Sequence, residues 1–166
     1  MWVRCFVYSY FVRYALINTE LGPVTLGSTA SGLASLSFGS VVPAGGIVDE
    51  PANRDYALQL DEYFLGRRTC FEMPLDYQGT PFQIAVWQEL LKIPYGETRT
   101  YGEIAKILGK PGSARAVGMA NHHNRIAVVI PCHRVVGSDG SLTGYAGGIS
   151  LKEKLLSIEQ GQTLFT

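Results

Sequence analysis

The stretch TYGEIAKILGKPGSARAVGMAN, residues 100–121, decides the fold of the second half of this chain. Thr100 and Glu103 have the spacing of a capping box, so they predict the start of one helix, which ends at Gly109. A Gly/Pro turn follows, and a second helix, rich in small residues, is predicted over residues 113–121. Two short helices joined by a tight turn indicate a helix-turn-helix that faces DNA, although a closely packed helix pair without that role has the same pattern.

Capping boxes also predict the starts of the two helices that flank this pair. Thr80 is the expected N-cap of the preceding helix, with a proline at the first helical position and Gln83 completing the box. Ser150 and Glu153 have the same spacing at the start of the last helix, which is predicted over residues 150–160. The second half of the chain is therefore expected to be mostly helical.

The first half has the short, turn-bounded apolar runs that are typical of strands, followed by one helical pattern. The predicted elements are strands over 12–18, 24–27 and 33–38, a loop over 39–50, a helix over 53–65 and an irregular linker over 67–79. The predicted fold class is α/β of the α+β type. An N-terminal domain, 1–78, would hold a small antiparallel sheet plus a helix. A mostly helical C-terminal domain, 79–166, would hold the helix-turn-helix and Cys132.

Charge is divided unevenly along a chain whose formal net charge is zero. Residues 1–91 carry five Lys and Arg against nine Asp and Glu, a net −4, whereas residues 92–166 carry nine against five, a net +4. A basic half indicates a face for a polyanion such as nucleic acid, with chance clustering of a few charges as the alternative.

The cysteines and the N-terminus indicate a reducing compartment and no membrane segment. Cys5, Cys70 and Cys132 are odd in number and far apart, which argues against a disulfide framework. The aromatic stretch 1–17 is expected to form strands, because it is too short and, with Arg4 inside it, too charged to span a bilayer. The expected location is the cytoplasm, or the nucleus in a eukaryote.

Cys132 stands beside His133 and Arg134, directly after the apolar run 126–130. The run predicts a buried strand that ends near the cysteine. A free thiol has a pKa of about 8.5 and reacts as the thiolate, so an adjacent imidazole or cation is a usual means of activation. Because free cysteine is also among the most buried residue types, an ordinary core cysteine is the competing interpretation.

With these pieces in order, the chain resembles the O6-alkylguanine-DNA alkyltransferases, also called methylated-DNA–protein-cysteine methyltransferases. The resemblance covers residues 80–161, and Leu21 to Leu26 is similar to the N-terminal domain of that family. The segment Ile130-Pro131-Cys132-His133-Arg134-Val135 is the family's active-site signature. Three further segments stand in register with it: 100–105, 115–120 and 144–148.

The resemblance implies a role for each catalytic residue. Cys132 would accept the alkyl group, His133 would take the thiol proton through a water molecule, and Glu159 would hold His133. Asn124 would brace the turn at the active site. Tyr101 would crowd the target phosphate and donate a proton toward guanine N3.

The resemblance also implies residues that bind DNA and the flipped base. Arg115 would enter the base stack in place of the extruded nucleotide. The other expected DNA contacts are Tyr101, Ala114, Ala116, Gly118, Met119, Asn121 and Arg134. The expected substrate pocket is formed by Val135, Tyr145, Ala146 and Gly147. The partner would be double-stranded DNA containing O6-alkylguanine, and also O4-alkylthymine, bound through the minor groove by a monomer that can bind cooperatively.

Two positions depart from the family pattern, and two other functions compete with repair. Arg125 follows Asn124 where proline is common, and Ala146 replaces a common serine. No zinc site or cofactor is expected, because only Cys5 and Cys70 precede residue 122 among possible Cys and His ligands. A lesion sensor without chemistry and a thiol hydrolase are the alternatives; the presence of Cys132 argues against the sensor.

Overall fold

The computed structural model describes residues 11–161, and its first half is built on a four-stranded sheet of order β3-β2-β1-β4. The strands are β1 Arg13–Thr19, β2 Gly22–Ser28, β3 Leu33–Phe38 and β4 Ile47–Val48. The first three are antiparallel, as predicted, while β4 pairs parallel to β1 within the segment predicted as a loop. A strand of only two residues is too short to give an alternating pattern, so the sequence did not predict it. The expectation for residues 1–10, including Cys5, lies outside the described residues.

Helix α1, Glu50–Phe64, packs against β1 and β2 and completes this layer. It begins three residues earlier than predicted, because the Asp49 side chain caps it by accepting from the backbone N–H of Ala52 at 3.1 Å. The helix buries Leu60, Tyr63 and Phe64. This buried face directs Tyr63 toward the second half of the molecule.

Four helices form the second half: α2 Pro81–Leu90, α3 Tyr101–Ile107, α4 Ala114–His122 and α5 Ile149–Glu159. The capping boxes predicted at Thr80 and Thr100 are both confirmed. The box predicted at Ser150 is wrong, since the helix starts after Gly148 and Ser150 already lies inside its first turn. Gly148 has a φ of +89°, which glycine adopts without a Cβ penalty.

Helices α3 and α4 pack together as the predicted helix-turn-helix pair, and α2 supports α4 from behind. Val117 and Ala120 turn inward from α4, and the indole N–H of Trp87 donates to the Ala120 carbonyl at 2.9 Å. The mixed α/β class expected from the sequence is confirmed. Among residues 11–161, no helix combines the length and the apolar character needed to cross a bilayer.

The apolar run 126–130 is not the buried strand predicted above. Only Ile126 makes a bridge, to Leu36, and the chain then turns so that the Ile130 N–H donates to the Ile126 carbonyl at 3.0 Å. Val128 has a φ of +70°, a rare conformation for a β-branched residue, and its side chain is fully buried. Hydrophobicity correctly predicted burial but could not distinguish a buried turn from a buried strand.

Two contacts of the sheet edge fix the position of this turn. The Leu36 N–H donates to the Arg125 carbonyl at 2.7 Å, and the Ala127 N–H donates to the Leu36 carbonyl at 3.1 Å. The next residues form a short 3-10 helix, Cys132–Arg134, which leads into β6, Val135–Val136. Strand β6 pairs in parallel with β5, Arg99–Thr100, and so brings the start of α3 beside the cysteine segment.

Candidate active site

Cys132 begins the 3-10 helix and is only 7% exposed. Its sulfur accepts a hydrogen bond from Asn124 Nδ2 at 3.2 Å. Burial raises the pKa of the Cys132 thiol, and this effect exceeds the opposing effects of the Asn124 hydrogen bond and the Lys152 charge. The resting group is therefore a protonated thiol rather than a thiolate.

Asn124 also holds the turn that carries the cysteine. Its Nδ2 donates to the Ile130 carbonyl at 2.8 Å, and its Oδ1 accepts from the Ile126 N–H at 3.0 Å. One amide thus fixes both ends of the segment in which Val128 takes its unusual conformation. Such conformations persist only where the surrounding structure holds them.

His133 is fully buried and points away from solvent, toward α5. Its Nε2 lies 2.8 Å from Glu159 Oε1, while its Nδ1 has no hydrogen-bond partner among residues 11–161. Burial lowers the pKa of His133, and this effect exceeds the rise caused by Glu159; the nearby charges of Arg134 and Lys152 lower it further. The imidazole is therefore neutral at neutral pH and able to accept a proton.

Arg134 is buried against Glu159, which contradicts the expectation that it binds DNA. Its Nε lies 3.0 and 2.9 Å from the two carboxylate oxygens of Glu159, and its Nη2 lies 2.8 Å from Oε1. Its Nη1 donates to the Ile93 carbonyl at 2.7 Å. The 3-10 helix turns this side chain inward, so its charge balances Glu159 instead of a phosphate.

Glu159 lies at the centre of this buried network, at the C-terminal end of α5. Burial raises the pKa of Glu159, but hydrogen bonds from His133 and Arg134 outweigh that effect and lower it to about 2. The backbone N–H of Gly96 donates to Oε2 at 2.9 Å. The carboxylate is therefore ionised and fully engaged at rest.

Two side chains near the site were missed from the sequence. Tyr63 of α1 donates its hydroxyl proton to Glu159 Oε1 at 2.5 Å and lies 3.3 Å from His133 Nε2. Lys152 of α5 is fully buried and donates to the carbonyls of Val135 at 2.5 Å and Thr143 at 2.9 Å. Tyr63 has the spacing of a core-facing helix position, and Lys152 lies in an ordinary charged helix, so neither gave a functional signal.

The substrate side of the site carries two tyrosines. The hydroxyl of Tyr101 donates to the Thr143 carbonyl at 3.1 Å, and burial raises the pKa of this phenol. The Tyr145 hydroxyl is buried without a partner, and burial, followed by the nearby Cys132, raises its pKa strongly. Both phenols are neutral and keep their protons at neutral pH.

The remaining predicted pocket residues divide between surface and core. Ala146 and Gly147 are exposed on the loop before α5, whereas Val135 is fully buried with its carbonyl held by Lys152. A Cβ at Gly147 would lie 2.6 Å from Leu151 Cδ2, so a larger residue there would need the Leu151 side chain to shift. Of these three residues, only Val135 is enclosed by the protein in the structure.

Helix α4 presents most of the predicted DNA-contacting residues at the surface. Arg115, Ala116 and Met119 are exposed, and Ala114 and Gly118 are half-buried. Asn121 is different, because it is only 4% exposed on the inward face and both polar atoms of its amide are buried without a partner. The predicted DNA contacts are close together in sequence, but Asn121 lies with Val117 and Ala120 on the face of α4 that packs into the protein.

Fold and site together define a class of protein in which a helix-turn-helix is combined with a buried thiol and an adjacent His–Glu pair. The family model described as "6-O-methylguanine DNA methyltransferase, DNA binding domain" matches residues 81–161, and the model of the ribonuclease-like domain of the same enzyme matches residues 12–77. This chain belongs to that family, as the sequence resemblance indicated.

Relatives and a solved structure agree with this assignment. The methylated-DNA–protein-cysteine methyltransferase of Methanosarcina barkeri is 48% identical over 152 residues, covering 89% of this chain and 96% of the relative. That of Mycobacterium bovis is 47% identical over 155 residues, covering 91% and 94%. The crystal structure of Mycobacterium tuberculosis OGT in complex with DNA superposes with a TM-score of 0.86 at 48% identity, covering 90% of this chain and 94% of the other.

Proposed function

We propose that this protein repairs DNA by direct reversal, moving the alkyl group of O6-alkylguanine irreversibly to its own Cys132. The observation that carries the proposal is the pairing of a protonated buried thiol with a neutral buried imidazole in the adjacent residue, His133, held by Glu159. Such a pair can produce a thiolate at the moment of reaction without exposing a charged nucleophile beforehand. The 47–48% identical methyltransferases support the same chemistry.

The reaction forms one bond and breaks one. His133 Nδ1 takes the Cys132 proton through a water molecule, and the resulting imidazolium is stabilised by Glu159. The thiolate attacks the alkyl carbon, the carbon–oxygen bond breaks, and its electron pair moves onto guanine O6. A proton from Tyr101 reaches guanine N3, so that the base departs neutral. The thioether on Cys132 has no route back to a thiol, so each molecule reacts once.

The two tyrosines fit this scheme because each is protonated and close to the reacting thiol. The Tyr101 hydroxyl is satisfied only by the Thr143 carbonyl, a bond that can be exchanged for one to substrate. The unpartnered hydroxyl of Tyr145 offers a donor to the base in the pocket. Neither group requires a metal or a cofactor to act.

Helix α4 is the proposed DNA-reading element, placed in the minor groove. Its exposed small residue Ala116 lets the backbone approach the duplex, and Arg115 is free to fill the space that the flipped base leaves. Minor-groove readout is degenerate, which suits a protein that must find damage in any sequence. The exposed Arg125, in place of proline, adds a cation for a phosphate.

The same proposal covers the organisation of the protein. We take the chain to have an N-terminal domain, 1–78, and a DNA-binding, alkyl-accepting domain, 79–166. A monomer would bind one lesion, with O4-alkylthymine as a second substrate. It would act where the DNA is, in the cytoplasm of a prokaryote or the nucleus of a eukaryote.

Intact mass measured after mixing with a slight excess of duplex containing one O6-methylguanine tests this function. We expect one methyl group per chain, mapped to Cys132, and no further reaction. Cys132→Ala should accept none while still binding the duplex. Cys70→Ala is the matched control, because Cys70 is a free cysteine exposed on the described part of the chain, and this variant should react like the wild type. Tight binding without any mass change would instead identify a lesion sensor and overturn the proposal.

A further inference from the structure

Tyr63 reaches the catalytic network from the other half of the molecule. It is the next-to-last residue of α1, is fully buried, and donates its only hydroxyl proton to Glu159 Oε1 at 2.5 Å. The same carboxylate oxygen lies 2.8 Å from His133 Nε2, and the Tyr63 oxygen itself lies 3.3 Å from that nitrogen. Two oxygen atoms, one from Glu159 and one from Tyr63, thus face one imidazole nitrogen.

We propose that Tyr63 is a positioning residue for the alkyl transfer, and that its hydroxyl helps to fix the His133 tautomer that leaves Nδ1 free to take the Cys132 proton. The inference rests on the proposed function, because it concerns the base of that reaction. It assigns a chemical role to a residue of the segment 12–77, which matches the ribonuclease-like part of the family.

The argument follows from donors and acceptors. A tyrosine hydroxyl has one proton, and here that proton is directed to Glu159, so the oxygen can only accept from His133. Glu159 is ionised and can also only accept. Two acceptors facing Nε2 require that Nε2 carries the imidazole proton. In a neutral imidazole, Nδ1 is then the unprotonated, basic nitrogen.

The packing around Tyr63 holds its hydroxyl in this position. The ring lies 5.1 Å from Phe71 and makes edge-on contacts with Phe64 at 5.7 Å and Tyr95 at 5.9 Å, measured between ring centroids. A fully buried ring with aromatic neighbours has little freedom to turn its hydroxyl elsewhere. The alignment is therefore built before substrate binds.

Burial and the nearby positive charges keep His133 neutral, so only one of its two ring nitrogens carries a proton. Arg134 from the 3-10 helix and Lys152 from α5 oppose protonation of the ring, and Glu159 from α5 favours it. Arg134 already occupies Glu159 through Nε and Nη2. Because the guanidinium engages part of the carboxylate, the Tyr63 oxygen serves as a second acceptor for the Nε2 proton. It thereby favours the tautomer that is protonated at Nε2.

Tyr63→Phe removes the hydroxyl and keeps the buried ring. Tyr95→Phe is the matched control, since Tyr95 packs on Tyr63 but its hydroxyl donates to the Ile158 carbonyl at 3.2 Å rather than to the carboxylate. Single-turnover methyl transfer is measured at saturating O6-methylguanine duplex, together with the dissociation constant for the same duplex. Nitrogen-15 NMR of labelled histidine reports the His133 tautomer, with His133→Gln identifying its signals.

We expect Tyr63→Phe to lower the limiting rate on the order of tenfold, a part of what general base catalysis contributes. Duplex affinity should be unchanged, and the His133 spectrum should change from a single Nε2–H form to a mixture. Tyr95→Phe should match the wild type in all three measurements. The inference requires the rate and the spectrum to change together, so either one unchanged overturns it.

Two further outcomes separate this inference from the proposed function. Wild-type protein that transfers no methyl group would overturn the proposed function, and the histidine spectrum would still test the tautomer assignment independently. If Tyr63→Phe melts far below the wild type, the wild-type spectrum decides the question alone. A wild-type His133 protonated at Nδ1 would refute the role assigned to Tyr63.

Discussion

Replacing Glu159 with glutamine tests the buried charge network most directly. Glu159 is 6% exposed and is paired with Arg134, which is 7% exposed. The amide keeps the shape of the carboxylate but removes its charge, so the guanidinium is left buried without a counter-ion. Breaking one side of a buried ion pair typically costs about 3–5 kcal/mol.

The depressed pKa of Glu159 gives a second route to the size of this interaction. It is lowered from 4.5 to about 2 in the folded protein. At about 1.4 kcal/mol per pKa unit, this corresponds to roughly 3 kcal/mol of folding stability. Because the folded-state pKa is depressed, the contribution is complete above pH 4.5 and is lost as the pH falls toward 2.

Urea unfolding at neutral pH and at pH 3 measures both consequences. We expect the free energy of unfolding of Glu159→Gln at neutral pH to be roughly 3 kcal/mol lower than that of the wild type. For a chain of this length, this is a fall in melting temperature of roughly 6–12 °C. The gap to the wild type should narrow to about 1 kcal/mol at pH 3. Methyl transfer should also slow, because the imidazolium of His133 loses its partner.

Two variants make the experiment decisive. Glu153→Gln removes an exposed carboxylate from the same helix and should change stability by less than about 0.5 kcal/mol. Arg134→Met combined with Glu159→Gln removes both charges and should be more stable than Glu159→Gln alone. A Glu159→Gln protein within about 0.5 kcal/mol of the wild type at neutral pH would refute this account of the network.

Three other outcomes follow from named contacts. Asn124→Ala loses three hydrogen bonds to the active-site turn and to sulfur. It should lower the free energy of unfolding in urea by about 1–3 kcal/mol and slow methyl transfer. Unchanged values would contradict the bracing role. Calorimetry should show methylated Cys132 protein melting below the unreacted form, since added bulk in a packed site costs about 1–3 kcal/mol. In urea unfolding, Thr80→Ala should lower the free energy of unfolding by about 1 kcal/mol. Ser150→Ala removes no capping bond, so it should leave that free energy nearly unchanged.

Local elements of the fold were predictable because their signals are local. The bounds of β3, Leu33–Phe38, were predicted without error, and the Thr80 and Thr100 capping boxes are made as expected. Errors occurred where the competing conformations share one sequence pattern. The Ser150 box has the correct residue types, but the N-cap of this helix is Gly148, two residues earlier. Strand β4 is too short to produce an alternating pattern.

The sequence by itself determined the family, and it indicated Cys132 as the proposed nucleophile with His133 as its neighbour, because these residues lie in one contiguous signature. Tertiary structure alone decided what surrounds them. It turned Arg134 inward to Glu159, converted the run 126–130 into a strained turn, and brought Tyr63 from a distant helix to the same carboxylate. The physical reason is that burial and hydrogen-bond partners are set by contacts between segments far apart in the chain. A local pattern of residue types does not predict which buried groups will contact each other.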